Sequence, residues 1–141
     1  MTLFLCANAY SQEADAIIGQ WLTDGGESLV EIYKCDDRYC GKIVWLMDPK
    51  NEDGTDKVDD NNPDKSKKKQ KIIGLNIVWN FKYKGKNKWT DGKIYDPNNG
   101  KTYSCKMSME GNKLKVRGYI GVSVLGRTTL WTGGLCRCDK K

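Results

Sequence analysis

The sequence predicts an all-β fold: a single up-and-down antiparallel barrel of about eight strands. Three observations predict it. Runs of roughly six to ten residues alternate apolar and polar side chains with period two. Turn-forming clusters such as Asp24-Gly25-Gly26, Asp36-Asp37-Arg38, Lys84-Gly85-Lys86-Asn87 and Glu110-Gly111-Asn112 recur between those runs. No segment shows convincing 3.6-residue periodicity beyond a short turn at residues 15–18. At 141 residues the chain has the length of one domain with one core.

The elements follow in chain order. Residues 1–12 carry no charge and pass from apolar Leu-Phe-Leu to Ala7-Asn8-Ala9, the small-x-small pattern that precedes a signal cleavage site. They are expected to be a signal-peptide remnant of an exported, periplasmic or secreted protein. Residues 13–135 form the barrel domain, and 136–141 a basic, cysteine-containing tail. The eight expected strands are residues 17–23, 28–35, 40–47, 73–83, 88–95, 101–109, 113–120 and 126–132. The fourth is the clearest: Ile73, Leu75, Ile77, Trp79, Phe81 and Tyr83 share one face. In the sixth, Tyr103, Cys105, Met107 and Met109 alternate with Thr102, Ser104, Lys106 and Ser108. In the seventh, Leu114, Val116 and Ile120 oppose Lys113, Lys115 and Arg117. Closing such strands into a barrel removes their exposed edges.

The second and third strands carry an internal check. Pairing Cys35 with Cys40 sets Ile32 against Ile43 and Val30 against Trp45, one apolar face, and leaves both cysteines on the other. Directly opposed residues lie ~4.5–5.5 Å apart, which suits a disulfide. If Cys6 leaves with the signal, five cysteines remain, so at least one thiol is free or pairs between chains. Cys136-Arg-Cys138 is too short a spacing for a zinc knuckle.

The connection over residues 48–70 is the long exception. It holds Asp-Gly, Asn-Asn-Pro and Lys-Ser-Lys-Lys-Lys, reads as too polar to pack, and at this length is expected to be functional or mobile. Asp48–Gly54 fails as a calcium loop, because aligning Gly54 with the required glycine puts Pro49 at the first ligand position. Asp59, Asp60 and Asn62 remain as metal candidates, although acidic loops are usually only solvated; no metal or other cofactor is expected.

Composition narrows function. There is no His, which excludes Ser-His-Asp and Cys-His catalysis and His-based zinc sites. The net charge of +6 is uneven. Residues 48–71 hold seven acids and seven lysines, whereas residues 82–141 hold fourteen basic and four acidic residues. The basic half suits solubility, or attraction to anions. Nucleic-acid binding through residues 65–71 is not expected, since the neighbouring acids cancel much of that field. The longest apolar run is too short to span a membrane as a helix. Catalysis would need paired carboxylates such as Asp91 and Asp96, or a reactive Cys105, and nothing fixes the former or activates the latter.

Several segments together resemble a family of small exported bacterial proteins, catalogued as a domain of unknown function with a lipocalin-like fold. They are Gly19-Gln-Trp21, Cys35…Cys40-Gly-Lys-Ile-Val-Trp-Leu46, Asp60-Asn-Asn-Pro63, Gly74-Leu75, Trp89…Gly92-Lys-Ile-Tyr-Asp-Pro97, Gly100-Lys-Thr-Tyr103 and Arg117-Gly-Tyr-Ile-Gly121…Gly126-Arg127…Trp131. They cover about residues 17–132 in family order. Past Trp131 the chain departs from the family pattern. The resemblance implies a calycin-type barrel in which Gly19 and Trp21 open the first strand and Arg127 packs over Trp21 by a cation–π contact, with Trp131 also structural.

A barrel of this size holds side chains or one small ligand. The expected function is therefore non-catalytic binding of a small hydrophobic or anionic amphipathic ligand; the alternative is a solid-core structural or protein-interaction module. Trp45, Trp79, Trp89, Tyr95 and Tyr103 are the expected pocket lining. Arg117 and Tyr119 are a candidate carboxylate grip, although strand parity sends both outward unless Gly118 forms a bulge.

Overall fold

The computed structural model describes residues 12–122 and 126–133. The expected signal segment, Cys6 and the Cys136–Cys138 tail lie outside these, apart from Gln12 at the edge of the first. Eight antiparallel strands close into an up-and-down barrel in sequential order. They are β1 (Gly19–Leu22), β2 (Ser28–Cys35), β3 (Arg38–Leu46), β4 (Asn76–Gly85), β5 (Lys88–Asp96), β6 (Lys101–Glu110), β7 (Lys113–Tyr119) and β8 (Arg127–Gly133). The short β1 closes the cylinder by pairing Trp21 with Gly133 and Leu22 with Thr132.

Tight turns set the registers. The β4–β5 turn, Lys86-Asn87, has φ of 55° and 61°, the left-handed geometry that matches strand twist in two-residue hairpins. The β2–β3 hairpin also turns in two residues: Cys35 faces Arg38, and Asp36 takes φ 55°. This corrects the expected register. Cys40 lies opposite Tyr33, and Val30 faces Ile43. The disulfide still forms, between diagonal neighbours with Cα atoms 5.9 Å apart. Beyond Ile43 the extra residue Val44 shifts the pairing, so Trp45 faces Leu29 instead of Val30. One inserted residue reverses strand parity, which leaves Trp45 44% exposed while Leu46 packs on the core.

The two ends of the cylinder differ. At one end, a helical turn at residues 12–14 and a 3₁₀ turn, Asp15–Ile17, lie across the opening as a plug. Large aromatics meet it and each donates to it. The Trp21 indole N–H donates to the Ile17 carbonyl at 2.8 Å, and that of Trp89 to Ala14 at 3.0 Å. The hydroxyls of Tyr39 and Tyr83 donate to the carboxylates of Asp15 and Glu13. Aromatic bodies thus fill the bore while their polar tips stay satisfied. Two glycines make room. A Cβ on Gly92 would lie 2.2 Å from the Phe81 ring, and one on Gly41 would lie 2.7 Å from Val78. This half of the barrel is solid.

The long connection is also ordered, contrary to the expectation that it is too polar to pack. Short bridges pair Lys50 with Asp56 and Val58 with Lys71. Ile72 and Asp59 are buried. The segment forms a strap that the backbone ties to the barrel: Gly74 N–H donates to Ile43 O, and Ile43 N–H to Leu75 O. Asp56 anchors it to Lys50 and, at 3.0 Å, to Lys71; hydrogen bonds to these ammonium groups hold its carboxyl below the usual range.

Candidate functional site: a cup at the open end

The end opposite the plug is open. There the bore widens into a cup of about 1000 Å³, the upper end of the roughly 300–1,000 Å³ typical of small-ligand sites. Its floor is apolar: Ile43, Ile77, Val116 and Trp131 are all nearly inaccessible, and Ile72 of the strap covers one side. Its rim is polar and drawn from three connections, with Asp24, Asp48, Asn61 and Asn98 among the rim residues.

The strap shapes the rim through a buried latch. Asp59 is fully buried, and its carboxylate accepts from the Tyr95 hydroxyl at 2.8 Å and from the Asn62 amide at 2.7 Å. Its N–H donates to Gln70 O. Burial, reinforced by the Asp59 carboxylate, pushes the Tyr95 hydroxyl up to about 12. Asn61 then reaches the β5–β6 turn, donating to the Pro97 and Asn98 carbonyls at 3.0 and 3.1 Å. Gly100 permits this approach, since a Cβ there would fall 2.0 Å from the Asn61 carbonyl oxygen. The metal reading of Asp59, Asp60 and Asn62 is therefore replaced. Both carboxylate oxygens of Asp59 accept from neutral donors, and no metal-binding group of three His, Cys, Asp or Glu gathers among the described residues.

The expected pocket residues separate. Tyr103 and Tyr95 line the cup, Tyr95 from beneath the strap. Trp79 does not face the bore. Pairing slips by one residue around Ile77, so Ile77 and Val78 are both buried and Trp79 turns out beside Lys93, into a shallow groove against the strap. Trp89 belongs to the plugged end. Trp45 is outside, for the parity reason above. Arg117 and Tyr119 also face outward: Arg117 pairs with Thr128 and donates to its hydroxyl at 2.6 Å, while Tyr119 faces Ser104, and the pairing is regular through Gly118. The carboxylate grip is not assembled there.

Arg127 does not cover Trp21. The Trp21 ring lies against Gly133, where a Cβ would meet it at 2.8 Å. Arg127 is six residues back along β8, about 20 Å at strand rise, opposite Gly118. It shares the inner face with Thr129 and Trp131 and lines the mouth of the cup. The plug turn caps the bore in its place. Ile120, expected to face inward, lies past the end of β7 and is 66% exposed. Cys105 is buried on the inner face, and burial pushes its thiol up to about 12, far from nucleophilic readiness.

Comparison with known proteins agrees with this architecture. Residues 19–133 match a family described as uncharacterized protein conserved in bacteria (DUF2147). The chain belongs to that family. Among solved structures, it is similar to protein HP1028 from the human pathogen Helicobacter pylori, described as belonging to the lipocalin family. The TM-score is 0.72 and the identity 22%, with 82% of this chain and 81% of that one covered. The fold of this DUF2147 protein is thus a lipocalin-like barrel. No curated protein matches it.

Proposed function

We propose that this DUF2147 protein is a non-catalytic binding protein that holds one small apolar or amphipathic ligand in the cup. One observation carries the reading: the barrel is solid in the plugged half and hollow in the other, and the hollow ends on an apolar floor. Burying an alkyl group there contributes about 0.8 kcal/mol per methylene, and the polar rim would receive a head group. A cell-envelope or extracellular location is part of the proposal. The Cys35–Cys40 disulfide supports it, as does the small-x-small pattern at Ala7-Asn8-Ala9.

Native mass spectrometry of the full chain purified from its own host tests this. The expected result is a fraction carrying an extra lipid-sized mass that is lost on denaturation. A bare mass, with no tryptophan fluorescence response to added alkyl probes, overturns it.

A further inference from the structure

We infer that the polar end of the ligand is a single carboxylate, and that Arg127 is the residue that receives it. This rests on the binding reading above and names the ligand class for that site.

Arg127, exposed at the mouth, stands on the inward-facing register of β8 and lines the cup. Its strand partner is Gly118, and a Cβ placed on Gly118 would approach Ile94 and the Tyr103 Cβ at 3.5 and 3.7 Å, which marks the direction as inward. Two and four residues further along β8, Thr129 and Trp131 continue the same face down to the floor. Gly118 offers no side chain, so the space beside the guanidinium stays open. Among the described residues, no carboxylate forms an ion pair with Arg127.

A ligand that reaches the floor must pass over Arg127 and shield it from solvent. Covering a guanidinium without giving it a partner is unfavourable, whereas a carboxylate matches its paired donors. The rim sets the charge. Asp24, Glu27, Asp48, Asp60 and Asp96 all lie on it, against Lys57, which is already paired with Asp48 at 3.3 Å. These acids oppose a second negative charge outside the cup, so the arrangement suits a monoanion over a phosphate dianion.

Fluorescence titration of the full chain with decanoate, decanol and decyltrimethylammonium, each below its micellar concentration, tests the inference. Decanoate is expected to bind at least about tenfold tighter than decanol. In Arg127→Gln the ratio should fall to near one; in Arg127→Lys, which keeps the charge but not the fork, it should lie between. The inference is overturned if decanoate and decanol bind equally in the wild type, if the preference survives in Arg127→Gln, or if decyltrimethylammonium binds tightest. Those outcomes leave the cup reading standing, because an alkyl probe still binds. Failure of all three probes overturns both.

Discussion

Gly92→Ala tests the solid half of the barrel at one atom. Gly92 has no left-handed backbone requirement, and the three atoms nearest an added Cβ all belong to the Phe81 ring. The added Cβ would lie 2.2, 2.3 and 2.4 Å from three ring carbons, where carbon atoms prefer about 3.5–4.0 Å. Phe81 is 1% exposed, so its ring must retreat by more than an ångström into a close-packed core. Overpacking of this kind costs about 1–3 kcal/mol. Replacing Gly by Ala also removes unfolded-state freedom, a gain of about 0.4–1 kcal/mol at a compatible site. The net loss is about 1–2 kcal/mol, or a Tm lower by roughly 3–8 °C. Urea unfolding followed by circular dichroism reads it. In a Phe81→Leu background the ring is gone, so adding Gly92→Ala should be neutral or slightly stabilising. A full loss persisting in that background would refute the packing argument, as would no loss in the wild type.

Other parts of the molecule give sharper readouts still. The thiol of Cys105 and the hydroxyl of Tyr95 have their protonation equilibria raised to about 12. Both groups then contribute stability that is full below their unfolded values and is lost as pH rises through about 9 to 12. The fall in unfolding free energy over that range should be shallower in Cys105→Ala and in Tyr95→Phe than in the wild type, and an identical slope would contradict the burial argument. Peptide-mapped alkylation at pH 8 should leave Cys105 unmodified until the chain is unfolded. Cys35→Ser with Cys40→Ser opens a short covalent loop, and chain-entropy arithmetic gives a loss of about 2 kcal/mol by chemical denaturation. Trp89→Phe removes the donor to the Ala14 carbonyl. Amide exchange over residues 12–17 should quicken more than exchange in β4–β7, marking local release of the plug.

The strands were legible because the alternation is strong: seven of eight expected segments lie within two residues of the observed bounds at both ends, and the exception, β4, starts at Asn76, three residues after the expected 73. The lining of the site was not, and the reason is local. Single inserted residues near Val44 and Ile77 reverse parity within a strand. Each carries its neighbouring tryptophan, Trp45 or Trp79, to the outer wall, and no pattern of period two reveals such an insertion. Arg127 was hidden differently. Its face also holds Trp131, but the opposite face shows Leu130, 43% exposed, so polarity alone does not tell inside from outside on β8. The order of the strap is not legible in the sequence because its acids outnumber its apolar residues. Asp59 is buried because Tyr95, across the fold, joins Asn62 in satisfying its carboxylate.

The cup itself follows from side-chain volume. Around the plugged half the inward positions are Tyr39, Phe81, Tyr83 and Trp89, rings that fill the bore. Around the open half they are Ile43, Ile77, Ile94, Val116, Gly118 and Thr129, which leave it hollow. Refilling that space should therefore weaken binding without harming the fold. Gly118 is the position to use, because an added Cβ there meets Ile94 and Tyr103 at ordinary contact distances of 3.5 and 3.7 Å and no positive φ forbids it, unlike the clash at Gly92. Gly118→Leu should unfold within about 1 kcal/mol of the wild type, since it adds apolar contact to a cavity wall rather than displacing a packed ring. Its isobutyl group projects into the cup beside Arg127, so decanoate and decanol should both lose about tenfold or more in affinity. Wild-type binding by a stably folded Gly118→Leu would place the ligand outside the barrel. A large loss of stability would show instead that the open half is already as tightly packed as the plugged one.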